Sequence, residues 1–277
     1  MVDHGEGQSQ RRRGLRATMM VLVAGLVSLM VGLPAYAQLT DGAPRQDRTG
    51  FPAWYQDDAG VRVNLCVDNR LCLGGDTRPN RNKPADPTVD ANPKKAGLQP
   101  NMPEEAFYAA AETDTTLDAG GRIRWRAVLE GAYSSAQPRA GREITFTRIQ
   151  VTGSNINLPA GTELTFRTPY DFPGTPDGDL RGTVDADGTL KTRVESRLGV
   201  KANGFNEPVI ETTTGYGPTI LRWDAGAPAG FLGNPLRLHT ITGGDSRNTF
   251  QVFRGGAAAS PVVDQFTIAG RCVQNTC

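Results

Sequence analysis

The sequence predicts an all-β protein, an antiparallel β-sandwich built as one large or two small sandwiches with a long proline-rich connector. Three observations carry this. The chain holds 33 Gly and 19 Pro among 277 residues, too many helix breakers for a bundle or coiled coil. Apolar and polar residues alternate at period two in segment after segment. Clusters of Gly, Pro and Asp separate those segments, the pattern of short strands joined by tight turns.

Residues 1–37 read as a secretory leader. A basic stretch, Arg11-Arg12-Arg13-Gly14-Leu15-Arg16, precedes an apolar run from Ala17 to Leu33, and Pro34 leads to Ala35-Tyr36-Ala37, an A-x-A cleavage signal. The run of 17 residues stands at the short end for a membrane span, so a retained anchor is the alternative to cleavage. The basic stretch also resembles a twin-arginine export signal, with Gly14 where that signal usually has Phe. Removing the leader's four arginines, Asp3 and Glu6 turns 30 basic and 29 acidic side chains into 26 and 27. A chain so balanced lacks the electrostatic footprint of a nucleic-acid binder. No membrane partner is expected once the leader is gone.

Residues 38–49 form a polar, flexible lead-in to an all-β extracellular region at 50–277. Phe51 to Val67 reads as a hairpin: the aromatic run Phe51-Pro52-Ala53-Trp54-Tyr55, a turn at Asp57-Asp58-Ala59-Gly60, and the alternating Val61-Arg62-Val63-Asn64-Leu65. Residues 74–103 hold six prolines and almost no large apolar side chains, and are expected as an extended connector. Glu104 to Ala111 fits a helix, since Pro103 precedes two acids and alanines follow. Alternation through Phe107 favours instead a hairpin, turning at Asp118-Ala119-Gly120-Gly121 and returning along Ile123 to Leu129.

Further strands are expected over 143–151, 163–170, 180–184, 189–194, 219–223, 236–241, 249–253 and 262–268. Turn signals at 159–161, 177–179, 185–188 and 243–245 separate several of them. A break near 198–208 would divide the region if it holds two domains.

Four cysteines, Cys66, Cys72, Cys272 and Cys277, lie beyond the leader, an even number in an exported chain. Their C-x5-C and C-x4-C spacings do not match a zinc ribbon. Two local bridges, Cys66–Cys72 and Cys272–Cys277, are favoured; cross-pairing of the two pairs is the alternative.

Certain segments resemble secreted bacterial proteins of unknown function, mainly actinobacterial. They are the opening Gly50-Phe51-Pro52-x-Trp54-Tyr55, Pro103-Glu104-Glu105-Ala106-Phe107-Tyr108, Leu221-Arg222-Trp223-Asp224, the stretch from Gly230 to Pro235, and His239-Thr240-Ile241-Thr242-Gly243. The likeness covers most of residues 50–270 and implies no activity.

Candidate chemistry is sparse. After leader removal His239 is the single histidine, and neither G-x-S-x-G nor a phosphate-binding glycine loop occurs, so no cofactor is implied. Gly244-Asp245-Ser246-Arg247 looks like a nucleophile motif but reads better as a turn. Asp185-Ala186-Asp187-Gly188 reads as a hairpin turn, because an EF-hand register would place Val194 at the final ligand position. A looser calcium site with Asp177 and Asp179 stays open.

Asp57, Asp58, Glu104 and Glu105 could supply paired carboxylates for glycoside hydrolysis. Trp54, Tyr55, Tyr170 and Phe172 could form an aromatic platform for a sugar or peptide. The competing expectation is that large aromatics fill the core, Trp54, Trp125 and Trp223 above all. The functional expectation is a secreted, non-catalytic binding or structural module whose partner is an extracellular polymer or protein. The alternatives are a carboxylate-dependent hydrolase and a component of a cell-surface assembly.

Overall fold

Strand pairing begins inside the polar lead-in: β1 (Thr40–Asp41) pairs antiparallel with β2 (Trp54–Gln56), a pairing that the composition of 38–49 did not signal. The structure is a computed structural model that describes residues 40–41, 51–66, 71, 105–133, 143–172, 175, 177–198, 219–245, 247–275 and 277. The leader, the connector at 74–103, Cys72, Glu104 and residues 199–208 of the expected break lie outside them.

The fold is all-β. β2 turns at Gly60 (φ +81°) into β3 (Arg62–Asn64), as the alternation predicts. β4 (Glu105–Thr116) is a strand, not a helix, and pairs along its length with β5 (Arg122–Tyr133). A bulge between Phe107 and Ala109 shifts its register. Ala106, Tyr108 and Ala111 all join the main core because of it. Their spacing of two and then three residues explains the helix-like reading of this segment.

β6 (Glu143–Ser154) continues the sheet and pairs with β9 (Leu190–Leu198). Between them, β7 (Glu163–Arg167) and β8 (Leu180–Thr183) leave to start a second sheet. The Asp185–Gly188 turn carries the chain back from β8 to β9. Asp185 N–H donates to Thr189 O at 2.7 Å, and the Asp187 carboxylate accepts from Thr189 N–H and O–H.

β10 (Arg222–Trp223) pairs with β11 (His239–Thr242), which pairs with β14 (Gln265–Cys272). β12 (Gln251–Arg254) and β13 (Ala257–Ala258) complete the second sheet, ordered β13-β12-β7-β8. The large sheet runs β1-β2-β3-β14-β4-β5-β6-β9, with β10 and β11 branching from β14. β11 starts later than expected because Asn234 Oδ1 accepts from Leu236 N–H at 2.8 Å, turning the chain through 234–238.

Both sheets face one apolar cluster. Trp125 is fully buried at its centre, 5.6 Å from the Phe266 ring in a T-shaped contact and tilted against Tyr170 and Phe250. Leu164, Phe166 and Val252 of the small sheet pack into the same cluster. Strict alternation explains β5: Ile123, Trp125, Ala127 and Leu129 enter the core, while Arg122, Arg124 and Arg126 take the opposite face. There Arg122 pairs with Asp114, Arg124 with Glu112, and Arg126 covers the Phe107 ring.

Cys272 and Cys277 form a disulfide with Cα atoms 5.5 Å apart, so local pairing holds at this end. Cys66 is also disulfide-bonded, and its expected partner Cys72 lies outside the described residues.

A candidate binding cleft beside the Cys272–Cys277 bridge

Leu221-Arg222-Trp223-Asp224 runs against β11 with Arg222 opposite Thr242 and Trp223 opposite Ile241. Side chains two residues apart share a face, so Trp223, Ile241 and His239 lie together. The chain then loops out past Gly226 and Pro228 and returns alongside. Trp223 N–H donates to Leu232 O at 2.8 Å, Leu232 N–H to Gly270 O at 3.0 Å, and Cys272 N–H to Gly230 O at 3.0 Å. Residues 230–232 are thereby wedged between β10 and β14.

Two glycines permit that wedge. A β-carbon on Gly233 would stand 2.8 Å from the Trp223 indole and from Ile268. Gly270 has φ +147°, and a β-carbon there would meet Leu232 Cδ1 at 2.5 Å and Tyr108 O at 2.8 Å.

The result is a cleft of about 280 Å³, walled by β10, the 227–232 loop and the Cys272–Cys277 bridge. The His239 ring stacks on Trp223 with centroids 4.6 Å apart. His239 Nδ1 faces Thr240 O at 2.9 Å and Asp224 Oδ1 at 3.2 Å. Both are acceptors, so Nδ1 carries a proton and donates to them. Thr240 O–H donates to the other Asp224 oxygen at 2.8 Å. Arg222 and Trp223 line the cleft, while Arg222 Nη1 and Trp223 Nε1 are themselves buried without a hydrogen-bond partner, the indole nitrogen lying against Gly233. This cleft draws together two of the segments that carry the resemblance, Leu221–Asp224 and Gly230–Pro235, and a third, His239–Gly243, backs Trp223 through β11. No pairwise spacing in the sequence marks His239 and Asp224 as partners; the Trp-Asp dipeptide between glycine-rich stretches is the available signal.

The expected aromatic platform is not assembled. Tyr55 and Tyr170 are each 3% exposed and Phe172 is 5% exposed, all within the core. Tyr55 makes a T-shaped contact with Tyr108 at 4.8 Å and shares a hydrogen bond with Thr145 at 2.6 Å. Tyr170 O–H donates to Thr219 O at 2.7 Å. Burial is the main cause that lifts its hydroxyl well above the ordinary tyrosine range, and the nearby Asp245 and Asp57 charges add to it. Trp54 is half-buried, with the Arg62 guanidinium 4.2 Å over its ring. Of the three tryptophans Trp125 alone is fully buried; Trp54 and Trp223 keep partial exposure.

The candidate acids are engaged structurally. The buried Asp57 accepts from Val61 N–H at 2.9 Å and Ile220 N–H at 2.8 Å, which ties the first hairpin to a segment 163 residues away. Asp58 is exposed in the turn. Asp177 and Asp179 face guanidinium groups: Arg181 meets Asp177 at 2.7 Å, while Arg167 and Arg247 meet Asp179 at 3.5 and 3.2 Å. Among the described residues no group of three or more His, Cys, Asp or Glu side chains could hold a metal ion.

Asp245 and Arg247 act as struts. Asp245 accepts from Asp171 N–H at 3.1 Å, and Arg247 reaches the Asp171 carboxylate at 2.7 Å. Withdrawal from solvent and the neighbouring Asp171 charge raise the Asp245 carboxyl above its ordinary range. Compared with known proteins, the chain matches no family model, no curated protein and no solved structure.

Proposed function

We propose that the chain is an exported, non-catalytic binding module of the extracellular space, related to the secreted bacterial proteins it resembles, and that its ligand sits in the Trp223 cleft. One observation carries this reading. A cleft of about 280 Å³ sets the partly exposed Trp223 and Phe231 beside Arg222 and Asp224, joining aromatic surface to charged groups in one concave place, as ligand sites do. The leader-like residues 1–37 and the Cys272–Cys277 disulfide support export. Of the acids that could serve a carboxylate-dependent hydrolase, the buried Asp57 already answers two backbone amides, which weighs against that reading.

Pull-down on isolated cell-wall polymers, together with a glycan array, tests the reading. The wild-type chain should be retained and Trp223→Ala should not, with both showing the same far-UV spectrum. Equal retention of the two, or retention of neither on any polymer, would overturn it.

A second reading, assembly at the cell surface, is favoured by Leu236 and Leu238, which are 63% and 56% exposed on the loop before β11. Sedimentation of the wild-type chain against Leu236→Ser/Leu238→Ser decides it. Self-association lost in the variant supports assembly, and a monomer at every concentration rejects it.

A further inference from the structure

We infer that the outer face of the large sheet carries a second binding surface, a track for a linear polymer with an anionic group on each repeat. It is separate from the Trp223 cleft. Three strands build it. Arg124 on β5 stands opposite Thr152 on β6, which stands opposite Lys191 on β9. In the next row Arg126, Gln150 and Arg193 follow in the same order. Directly paired residues share a face, and the intervening Trp125, Val151 and Leu190 lie in the core, so all six project outward. Arg122 extends the β5 file beside Ser154.

The cations therefore form two files. β5 supplies Arg122, Arg124 and Arg126, and β9 supplies Lys191 and Arg193; the β6 file between them is uncharged and shorter. Neighbouring strands lie about 4.8 Å apart, so the two files stand about 10 Å from each other, with about 7 Å between successive cations in each. The acids of this region lie outside the files. Glu112 and Asp114 are on β4, where they pair with Arg124 and Arg122. Glu195 enters the register only at the following row, opposite Arg148. Asp187, in the turn before β9, is occupied by Thr189. Lys191 and Arg193 are exposed and make no ion pair among the described residues. With 26 basic and 27 acidic side chains after the leader, the chain is balanced as a whole, so this surplus is local.

Shape and charge together choose the occupant. Lysines on an edge strand guard against unwanted pairing, which accounts for β9 but not for a second cationic file on β5, inside the sheet. A trough with cations on both sides holds one anionic thread, whose charges meet either file while Ser154, Thr152 and Gln150 bond its uncharged groups. A membrane surface would rest on the tips of the files and leave β6 unused.

Titration calorimetry on the full mature chain tests this with polygalacturonate, polyglycerol phosphate, neutral dextran, an oligothymidylate and anionic phospholipid vesicles. At least one of the two anionic polymers should bind, and the tighter of them shows whether carboxylate or phosphate is preferred. Dextran should not bind. Affinity should fall about ten-fold or more between about 0.05 and 0.5 M salt, as the charges are screened. Lys191→Gln/Arg193→Gln should weaken binding about ten-fold, with the far-UV spectrum and melting temperature unchanged. Asp114→Asn, which removes the acid beside Arg122, should strengthen it about two-fold. Trp223→Ala should leave it unaltered.

Binding that ignores salt or the Lys191/Arg193 pair overturns the inference, as does its loss in Trp223→Ala. Tighter binding of the oligothymidylate or the vesicles than of either polymer overturns it too, and so does failure of both polymers to bind. None of these results bears on the cleft, which stands or falls by its own pull-down.

Discussion

His239 lies flat on Trp223, the ring planes inclined by 19° and the centroids 4.6 Å apart. The pair joins β11 to β10 at the mouth of the cleft, so cleft geometry and local stability depend on the same contact. Aromatic pairs of this kind contribute about 0.5–1.5 kcal/mol beyond simple burial. His239→Phe should keep the stack and most of the thermal stability. Both variants lose the Nδ1–H bond to Thr240 O, so His239→Ala should lower the unfolding free energy by about 1 kcal/mol more than His239→Phe, the worth of the stack. Urea denaturation of the two variants distinguishes these outcomes, and equal losses would show that the ring contributes nothing by stacking.

Asp57 offers a sharper test of how the hairpin is anchored. Its two oxygens accept from Val61 and Ile220 N–H, and the side chain is buried. Asp57→Ala leaves both amides without that acceptor and should cost about 2–4 kcal/mol. Asp57→Asn keeps one acceptor oxygen and should recover roughly half. Hydrogen exchange at Ile220 N–H should accelerate in both variants if the link is made in solution.

Tyr170 predicts alkaline sensitivity. Its folded-state pKa is raised, so the folded protein holds this proton more tightly than the unfolded chain does. The contribution is complete below the ordinary tyrosine value of about 10 and is lost as pH rises from there through the folded value. Tyr170→Phe should therefore show a shallower loss of stability above pH ~10 than the wild type. At neutral pH it should be less stable by about 1 kcal/mol, the hydrogen bond to Thr219 O. Thermal melts at pH 7 and pH 11 check both statements.

Asp245 predicts the opposite response to a neutral substitute. Its carboxyl pKa is raised, mainly by withdrawal from solvent and then by Asp171, so ionisation is a net cost that grows as pH rises through the folded value. Asn at 245 carries no charge and retains an acceptor for Asp171 N–H. Asp245→Asn should melt slightly higher than wild type at pH 7. The difference should vanish below the ordinary carboxyl range near pH ~3.9, where the wild-type side chain is protonated as well.

The Cys272–Cys277 bridge closes a short loop and should stabilise by about 2 kcal/mol on chain-entropy grounds. Since both cysteines wall the cleft, Cys272→Ser/Cys277→Ser should also weaken capture of cell-wall polymer. Parallel melts and pull-downs would show whether the two losses coincide; a variant that is destabilised but binds normally would detach the bridge from the site.

How much of this was legible in the sequence depends on how local the cause was. β5 could be read directly, since Ile123-Arg124-Trp125-Arg126-Ala127 alternates without interruption and both faces behave accordingly. β4 was less direct: alternation through Phe107 favoured the hairpin that forms, while Pro103, the two acids and the alanines also suited a helix, and the bulge at Phe107–Ala109 interrupts the period-two pattern. The two-residue strands β1 and β13 are too short to leave any pattern.

Whether the aromatic residues would make a platform or fill the core turns on non-local contacts. Tyr55 finds its hydroxyl partner 90 residues away and Tyr170 finds one 49 residues away, so nothing nearby announces their burial. The cleft is hidden in the same way. Residues 230–232 earn their position by bonding to both β10 and β14, and neither contact is visible until the sheet is assembled.

Strand order has a consequence for when this fold can exist. β14 is among the last segments of the chain, yet it stands in the middle of the large sheet, bonded to β3, β4 and β11. The first hairpin's ladder enters the sheet through it, helped by one bridge from Cys66 to Phe107 on β4, and the 230–232 wedge has no second rail without it. A nascent chain that lacks residues 265–272 can close the β4-β5-β6-β9 meander but cannot finish the sheet, the cleft or the disulfide. Closure of this kind makes the large sheet depend on pairing between segments roughly 200 residues apart, the non-local contact pattern that folds slowly.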